Sequence, residues 1–195
     1  MSETQSIIST RREYPVPPQA LEAEQSVLGS LLLDSRRWDE VAEVVLEEDF
    51  YTKAHREIFS AIKSLHADDK PVDVVTASEW LGNCGTLDKV GGIPYLGELA
   101  KNTPATVNVI AYASIVRERS VLRQLINVST QIAEKAYNPE GSNVEELLGY
   151  AEKLVFDIAE ADKRQKGGFV PVQGLLTEAL DRIEELYESG QSITG

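Results

Sequence analysis

Residues 103–136, with the sequence TPATVNVIAYASIVRERSVLRQLINVSTQIAEKA, form the stretch that decides the fold. After Pro104 it contains neither glycine nor proline, and the next proline along the chain is Pro139. Thr103 is a favourable N-cap residue, and Pro104 suits the first helical position, where its missing N–H costs nothing. The stretch therefore predicts one uninterrupted helix of about 50 Å, at about 1.5 Å per residue.

The apolar residues of this predicted helix recur in steps of three or four, except where Glu118 interrupts the pattern. They are Ala111, Ile115, Leu122, Leu125, Ile132 and Ala136, with the small residue Ser129 in the same register. This spacing is typical of a narrow coiled-coil seam that packs against a partner helix. We therefore expect one face of the helix to be covered along its length.

A second helix follows a strong turn signal, the sequence Asn138-Pro139-Glu140-Gly141. Ser142 and Glu145 have the spacing of a capping box, which marks a helix start. A second apolar seam continues through Leu147, Ala151, Leu154, Ile158 and Ala161. Two long amphipathic helices joined by a short turn fold back on each other, so residues 103–164 predict an antiparallel helical hairpin.

Outside the hairpin, the sequence predicts three further segments: an arm, a head and a linker. Residues 1–18 contain Pro15, Pro17 and Pro18 and predict an extended arm. Residues 19–102 predict a small globular head of short helices, in which Thr52 and Asp73 are N-caps. Residues 165–195 predict a linker with one more amphipathic helix, and we expect the chain to stop before a following domain. The predicted fold class is all-α, with a helical head, a long hairpin and a linker helix.

Composition restricts the function. The chain carries 32 acidic and 19 basic residues and has a net charge of -13, which excludes a generally basic surface for gripping a phosphate backbone. The single cysteine, Cys84, excludes an internal disulfide and favours a reducing compartment. The first residues have no signal-peptide pattern, and no apolar run approaches the about 20 residues that span a bilayer. We therefore expect a cytoplasmic protein without membrane contact.

No catalytic motif is present in the sequence. It contains no G-x-x-x-x-G-K-[ST] phosphate loop, no G-x-S-x-G and no H-E-x-x-H. The two histidines, His55 and His66, are too far apart on a helix to share a metal, and we interpret both as structural. The sequence therefore predicts no catalytic residue, no cofactor-binding residue and no metal site within these residues.

Several motifs together resemble the bacterial replicative DNA helicases of the DnaB type. They are PPQALEAEQSVLG at 17–29, EDFY at 48–51, AHREIF at 54–59, PVD at 71–73, GGIPYL at 91–96 and AYASIVRER at 111–119 with VLR at 121–123. Each motif alone is a surface that any helical protein could carry, whereas all of them in this order are specific. The resemblance covers roughly residues 15–195 and implies the amino-terminal domain and linker helix of that family, without its RecA-type ATPase domain.

The resemblance implies a function for the whole protein and another for this part of it. The whole would be a hexameric, ATP-dependent helicase that unwinds duplex DNA at the replication fork, with ATP and Mg²⁺ in the missing ATPase domain. This part would form a collar, a trimer of dimers, that binds primase, while a helicase loader acts on the ring and single-stranded DNA passes through it. A stand-alone primosome adaptor or loader-like protein with the same fold is the alternative, and an unrelated enzyme is a third.

The candidate interface residues each have a plainer interpretation. The resemblance implies a partner surface near Glu22 and another hairpin or primase facing Ile126 and Ile132, whereas Tyr95 is a candidate because tyrosine is a favoured interface anchor. Glu22 could instead favour a helix amino terminus through the helix dipole, and Tyr95 could be a core aromatic with its hydroxyl at the surface. Ile126 and Ile132 could be core residues of the hairpin. The remaining candidates are three arginines that could meet acidic partners or DNA, or form a solvated, ion-paired face: Arg117, Arg119 and Arg123.

The predicted linker helix carries an apolar stripe that includes Leu176, Leu180 and Ile183. The preceding pair Gly167-Gly168 makes a flexible joint, so the helix need not pack on its own hairpin. The resemblance implies that this stripe docks on the ATPase domain of a neighbouring subunit.

Overall fold

A computed structural model describes residues 16–103 and 106–166. The linker segment, with its predicted docking residues Leu176, Leu180 and Ile183, lies outside the described residues, as does most of the predicted arm. Seven α-helices are present in the described ranges: α1 Leu21–Leu33, α2 Trp38–Ala42, α3 Lys53–Ala67, α4 Val74–Asn83, α5 Gly92–Lys101, α6 Val109–Tyr137 and α7 Val144–Lys166. These ranges contain no strand, which confirms the all-α prediction.

The core lies in the head and is built from apolar residues at helical spacing on α1, α3, α4 and α5. Its fully covered side chains include Val27, Leu28, Leu31, Ile58, Ile62, Leu81 and Leu96. The first part of α6 belongs to the same core, since Val109, Ala113 and Val116 are buried among these residues. The base of the long helix is therefore part of the head.

Two predicted N-caps are confirmed, because each depends only on neighbouring residues. The Thr52 hydroxyl accepts a hydrogen bond from the His55 N–H at 3.1 Å, at the start of α3. One Asp73 oxygen accepts from the N–H groups of Val75 and Thr76 at 2.8 and 2.9 Å, at the start of α4. The bond from the Thr76 N–H is the main reason that the pKa of Asp73 lies below its ordinary value.

The long helix begins later than its sequence predicts. It starts at Val109, after a short 3₁₀ turn at Thr106–Asn108, and Thr103 is not its N-cap. The Thr103 hydroxyl instead donates a hydrogen bond at 2.8 Å to the carbonyl oxygen of Leu99, one of the acceptors at the C-terminal end of α5. A threonine placed between two helices can serve either of them, and the local sequence did not identify which one.

The predicted capping box of α7 is shifted by one residue. Asn143, not Ser142, provides the side chain that accepts from the N–H of Glu146 at 2.9 Å. The Glu146 carboxylate in turn accepts from the Asn143 N–H at 3.2 Å. The preceding turn places both Glu140 and Gly141 at positive φ, which positions Asn143 for this reciprocal contact.

The predicted seam of α6 is wrong. Its members Ile115, Leu122 and Leu125 are 38, 40 and 39% exposed, Ala111, Ser129 and Ala136 are exposed as well, and only Ile132 is half-buried. The covered residues lie on another face of the helix and include Val128 in its second half and Val116 and Ser120 in its first half. The coiled-coil pattern assumes one partner helix, whereas this half of α6 packs against the head. Farther along, α6 and α7 pack as the predicted hairpin, and Val128 and Ile158 are buried.

The helices α1 and α5 approach each other closely at Gly29. A Cβ atom at this position would lie 2.0 Å from the Thr103 hydroxyl oxygen and 2.2 Å from the Leu99 carbonyl oxygen. The second of these atoms belongs to the backbone of α5, so no side-chain rotation relieves the clash. At Gly149, on α7, an added Cβ would meet nothing within 4 Å.

None of the described helices is both long enough and apolar enough to cross a membrane.

We expect Gly29→Ala to lower the free energy of unfolding by about 1–3 kcal/mol or more, because α1 and α5 must separate to admit the methyl group. The matched control is Gly149→Ala, which should raise the same free energy by about 0.5–1 kcal/mol, since alanine loses less backbone entropy in a helix. Urea unfolding followed by circular dichroism measures both. Equal stability of Gly29→Ala and the unchanged chain would contradict the close packing.

Candidate partner-binding surfaces

Arg117 lies at the joint between the head and the hairpin. It projects from α6, is 6% exposed, and donates a hydrogen bond from Nη1 to Asp49 Oδ1 at 2.8 Å. Asp49 itself is fully buried and belongs to the short 3₁₀ turn at Glu47–Asp49 of the head. Arg117 Nε also lies 3.5 Å from Asp162 Oδ1 on α7, an ion-pair distance without hydrogen-bond geometry. One buried cation therefore connects the head with both arms of the hairpin.

Arg123, farther along α6, reinforces the same joint. Its Nη2 and Nη1 groups donate to the carbonyl oxygens of Asp49 and Pro18, at 2.5 and 2.8 Å. Its guanidinium carbon lies 5.6 Å from the centre of the Tyr51 ring, a cation–π distance. Burial lowers the pKa of Arg123 from its ordinary value, and the nearby carboxylates of Glu24 and Asp49 oppose that shift.

These contacts correct the interpretation of the three arginines as an exposed cluster. Arg117 is covered by the head, and the guanidinium of Arg123 is occupied by backbone carbonyls, so neither forms part of a solvated face. Arg119, between them in sequence, is half-buried. The sequence could not reveal this arrangement, because the partner Asp49 precedes Arg117 by 68 residues.

Glu22 and Tyr95, two residues of the predicted interface, line one pocket between α1 and α5. The pocket has a volume of about 250 Å³, and its described lining residues are Glu22, Gln25, Ser26, Tyr95, Glu98, Leu99 and Asn102. The charged groups in that lining are the carboxylates of Glu22 and Glu98, and Leu99 is its buried apolar residue. The pocket therefore offers negative charge and amide groups beside an aromatic ring.

A buried hydrogen-bonded chain lies directly behind this pocket. His55 on α3 is 2% exposed, and its Nδ1 lies 2.5 Å from Glu24 Oε2 on α1. Its Nε2 lies 2.7 Å from the Tyr95 hydroxyl on α5, and the two rings are nearly parallel. The other oxygen of Glu24 accepts from the Tyr51 N–H at 2.8 Å. The chain joins three helices of the head and ends on a side chain of the pocket.

The sequence places His55 correctly in the first turn of α3, but it does not identify these partners. Glu24 precedes it by 31 residues, and Tyr95 follows it by 40. One feature of the sequence indicates that a partner exists. Glu24 lies between Ala23 and Val27 on the buried face of α1, and a carboxylate on a buried helix face requires a hydrogen-bond partner.

The second surface is apolar and runs along the hairpin. On α6, Ile126 is 53% exposed, so it is not a core residue of the hairpin, while Ile132 is half-buried. On α7, Leu148 and Phe156 are 65 and 58% exposed. Other apolar side chains exposed on the two helices are Ile115, Leu122, Leu125, Tyr137, Val144, Tyr150 and Val155. An exposed apolar surface of this extent is typical of a protein interface.

Comparisons with known proteins identify close relatives of this chain. A family model of the DnaB-like helicase N terminal domain matches residues 16–118. The replicative DNA helicase DnaB of Haemophilus influenzae is 41% identical over 185 residues, which are 94% of this chain and 40% of that protein. The replicative DNA helicase DnaC of Bacillus subtilis is 38% identical over 180 residues, which are 92% of this chain and 39% of that protein.

Solved structures have the same fold. The crystal structure of the N-terminal domain of DnaB helicase from Mycobacterium tuberculosis is 38% identical and superposes with a TM-score of 0.69, covering 73% of this chain and 99% of that chain. A DnaB-like replicative helicase, whose structure was described with its interactions with primase, is 22% identical with a TM-score of 0.60. It covers 83% of this chain and 35% of that chain, and it supports the fold alone.

The family model covers more than half of the 195 residues, and the helical head, the buried joint and the hairpin are present in the structure. The chain spans about 40% of the length of the helicases from Haemophilus influenzae and Bacillus subtilis. From its sequence and its fold together, the chain belongs to the family of DnaB-like helicase N-terminal domains.

Proposed function

We propose that this chain is the amino-terminal collar of a hexameric, ATP-dependent replicative DNA helicase and that it works through assembly and partner binding. Family membership and the replicative helicases among its relatives support this function. The ATPase site, with its ATP and Mg²⁺, would belong to a RecA-type domain outside these 195 residues. In the whole ring, single-stranded DNA would pass through the centre, and the protein would act in the cytoplasm.

The observation that carries the proposal is the exposed apolar surface of the hairpin. Leu148 and Phe156 lie on α7 with more than half of their surface in contact with water. Covering such side chains stabilises an assembly by about 25 cal/mol for each Å² of apolar area. A second copy of the hairpin presents a surface of the same chemistry, and three such dimers would form the collar.

Primase and a helicase loader are the other partners of the proposal. The solved helicase described with its interactions with primase has this fold. We assign the pocket residues Glu22 and Tyr95 to partner binding, and we assign the apolar residues Ile126 and Ile132 to the interface with another hairpin or with primase. We assign no such role to Arg117 or Arg123, because both are engaged at the joint. Arg119 stays a candidate for the same interface.

A stand-alone primosome adaptor or loader is the alternative, and the absence of a phosphate loop from these 195 residues is compatible with it. The two functions differ in what the gene encodes beyond Gly195. A phosphate loop in the same reading frame would favour the helicase, and a stop codon would favour the adaptor.

We expect the chain to self-associate in solution through the hairpin. Light scattering across micromolar concentrations should give a mass above the 21.5 kDa of one chain. Ile126→Asp should raise the dissociation constant about tenfold or more, because burying an unpaired carboxylate at the interface costs at least about 1.4 kcal/mol.

The matched control for that substitution is Ile93→Asp, which makes the same replacement at a residue of α5 that is 56% exposed and lies outside the hairpin. It should change the dissociation constant much less. A chain that stays monomeric at the highest concentration would contradict self-association of the collar without the ring.

We also expect the chain alone to bind single-stranded DNA weakly and to hydrolyse no ATP. The net charge of -13 repels a polyanion, and two of the three arginines on α6 are engaged at the joint. Fluorescence anisotropy with a labelled oligonucleotide, at several salt concentrations, measures the binding. Sub-micromolar, salt-sensitive binding, or ATP turnover that survives further purification, would show that this expectation is wrong.

A further inference from the structure

The guanidinium of Arg117 has two donor groups that its bond to Asp49 does not use. Nη1 donates to Asp49 Oδ1 at 2.8 Å. The other two nitrogens, Nε and Nη2, are buried and have no hydrogen-bond partner in the described part of the chain. A buried donor without an acceptor is costly, above all in a charged group. An acceptor for these two groups would therefore stabilise the joint between the head and the hairpin.

The geometry of these two donors selects a carboxylate as their acceptor. The N–H groups of an arginine at Nε and Nη2 lie side by side in one plane and point in the same direction. They can therefore donate two parallel hydrogen bonds to the two oxygens of one carboxylate. A carbonyl or a hydroxyl oxygen offers a single acceptor atom and matches this pair less well. Because Asp49 bonds to Nη1, it leaves the pair of donors intact.

Asp162, on α7, provides a carboxylate beside these donors. Its Oδ1 lies 3.5 Å from Arg117 Nε, and bonds between a charged nitrogen and a carboxylate are about 2.7–2.9 Å long, so an approach of about 0.7 Å would close the contact. The side chain of Asp162 is 24% exposed, whereas that of Asp49 is fully buried. The joint thus combines one acid that is locked in the head with one acid that retains access to water.

A second carboxylate at the joint requires a second positive charge nearby, and Arg123 provides it. Its Nη2 group donates to the backbone carbonyl of Asp49, and its guanidinium interacts electrostatically with the carboxylates of Asp49 and Glu24. Glu24 has its own partner in the ring of His55. The charges of two arginines therefore lie close enough to balance Asp49 together with Asp162.

We propose that Arg117 and Asp162 form a latch, which closes when the Asp162 carboxylate accepts from both Nε and Nη2 of Arg117. The closed latch ties the C-terminal end of α7 to the head, because Asp162 lies four residues before Lys166, where α7 ends. The open latch leaves that end without this tie. Its role rests on the proposed function: in a helicase subunit the chain after α7 leads to the ATPase domain, so the latch sets how firmly that connection is anchored at the collar.

The test is NMR of the ¹⁵N-labelled 195-residue chain, which measures how fast the Arg117 Nε hydrogen exchanges with water. We expect slow exchange in the unchanged chain. Asp162→Asn keeps the size of the side chain but removes its charge and one acceptor. It should accelerate the exchange about tenfold or more, the factor that a hydrogen bond to a charged group provides. The backbone amides of 159–166 should also exchange faster, whereas the amide of Leu46, bound to Asp49, should not.

Two further variants separate the latch from a general effect of the substitution. Asp157→Asn is the matched control, since it makes the same replacement at an exposed residue of the same helix, and it should leave the exchange at Arg117 unchanged. Asp162→Glu keeps a carboxylate on a longer stem, so it should preserve slow exchange of the Nε hydrogen. A loss of packing at this position would not be rescued by the retained charge.

Three outcomes would overturn the proposal. They are rapid exchange of the Arg117 Nε hydrogen in the unchanged chain, equal exchange in Asp162→Asn and the unchanged chain, and an Asp162→Glu variant that behaves like Asp162→Asn. The first would show that water, not a carboxylate, satisfies these donors. All three readouts concern contacts within one chain, whereas the collar is tested by light scattering. A failure of the latch is therefore distinguishable from a failure of the proposed function.

Discussion

The buried ion pair between Arg117 and Asp49 is the constraint on which the rest of the structure depends. Removing each of the two charges from water costs several kcal/mol of folding free energy. The attraction between them offsets this cost only because the two groups are held at hydrogen-bond distance. The Asp49 carboxylate also accepts the Leu46 N–H at 2.8 Å, which holds the turn that carries it. Since Arg117 belongs to α6 and lies near Asp162 of α7, the pair sets the direction in which the hairpin leaves the head. The pocket of the head and the exposed apolar residues of the hairpin are thereby held in a fixed relation.

Some elements that depend on adjacent residues could be predicted from the sequence, although the capping box of α7 is shifted by one residue from its predicted place. The caps at Thr52 and Asp73 are of this kind, because the side chain and the N–H groups it satisfies are at most three residues apart. The start of α6 and the covered face of its first half could not be predicted. Both depend on α5 and on the head core, and a helical pattern identifies an apolar face without identifying what covers it.

The candidate site likewise has features that the sequence indicates and features that only the structure reveals. The resemblance indicates Glu22, and the preference of interfaces for tyrosine indicates Tyr95, but neither reveals that the two residues line one pocket or that His55 lies behind it. The interpretation of Arg117 and Arg123 as members of an exposed cluster is wrong, and it arises because a charge on a long helix is usually solvated. The sequence within α6 gives no indication that Arg117 meets a buried carboxylate, since Asp49 lies in the distant turn before α3.

The most direct test of this account is a double-mutant cycle of Asp49→Asn and Arg117→Met, measured as free energies of unfolding in urea. Asparagine keeps an oxygen that can accept the Leu46 N–H, and methionine keeps the length of the arginine stem without its charge. The account predicts that each single substitution costs about 3 kcal/mol or more, because each leaves a buried charge without the opposite charge to which it is hydrogen-bonded. It also predicts that the double variant loses at least about 2 kcal/mol less than the sum of the two, within the range of couplings between contacting residues. Simple additivity would contradict the claim that this pair fixes the hairpin to the head.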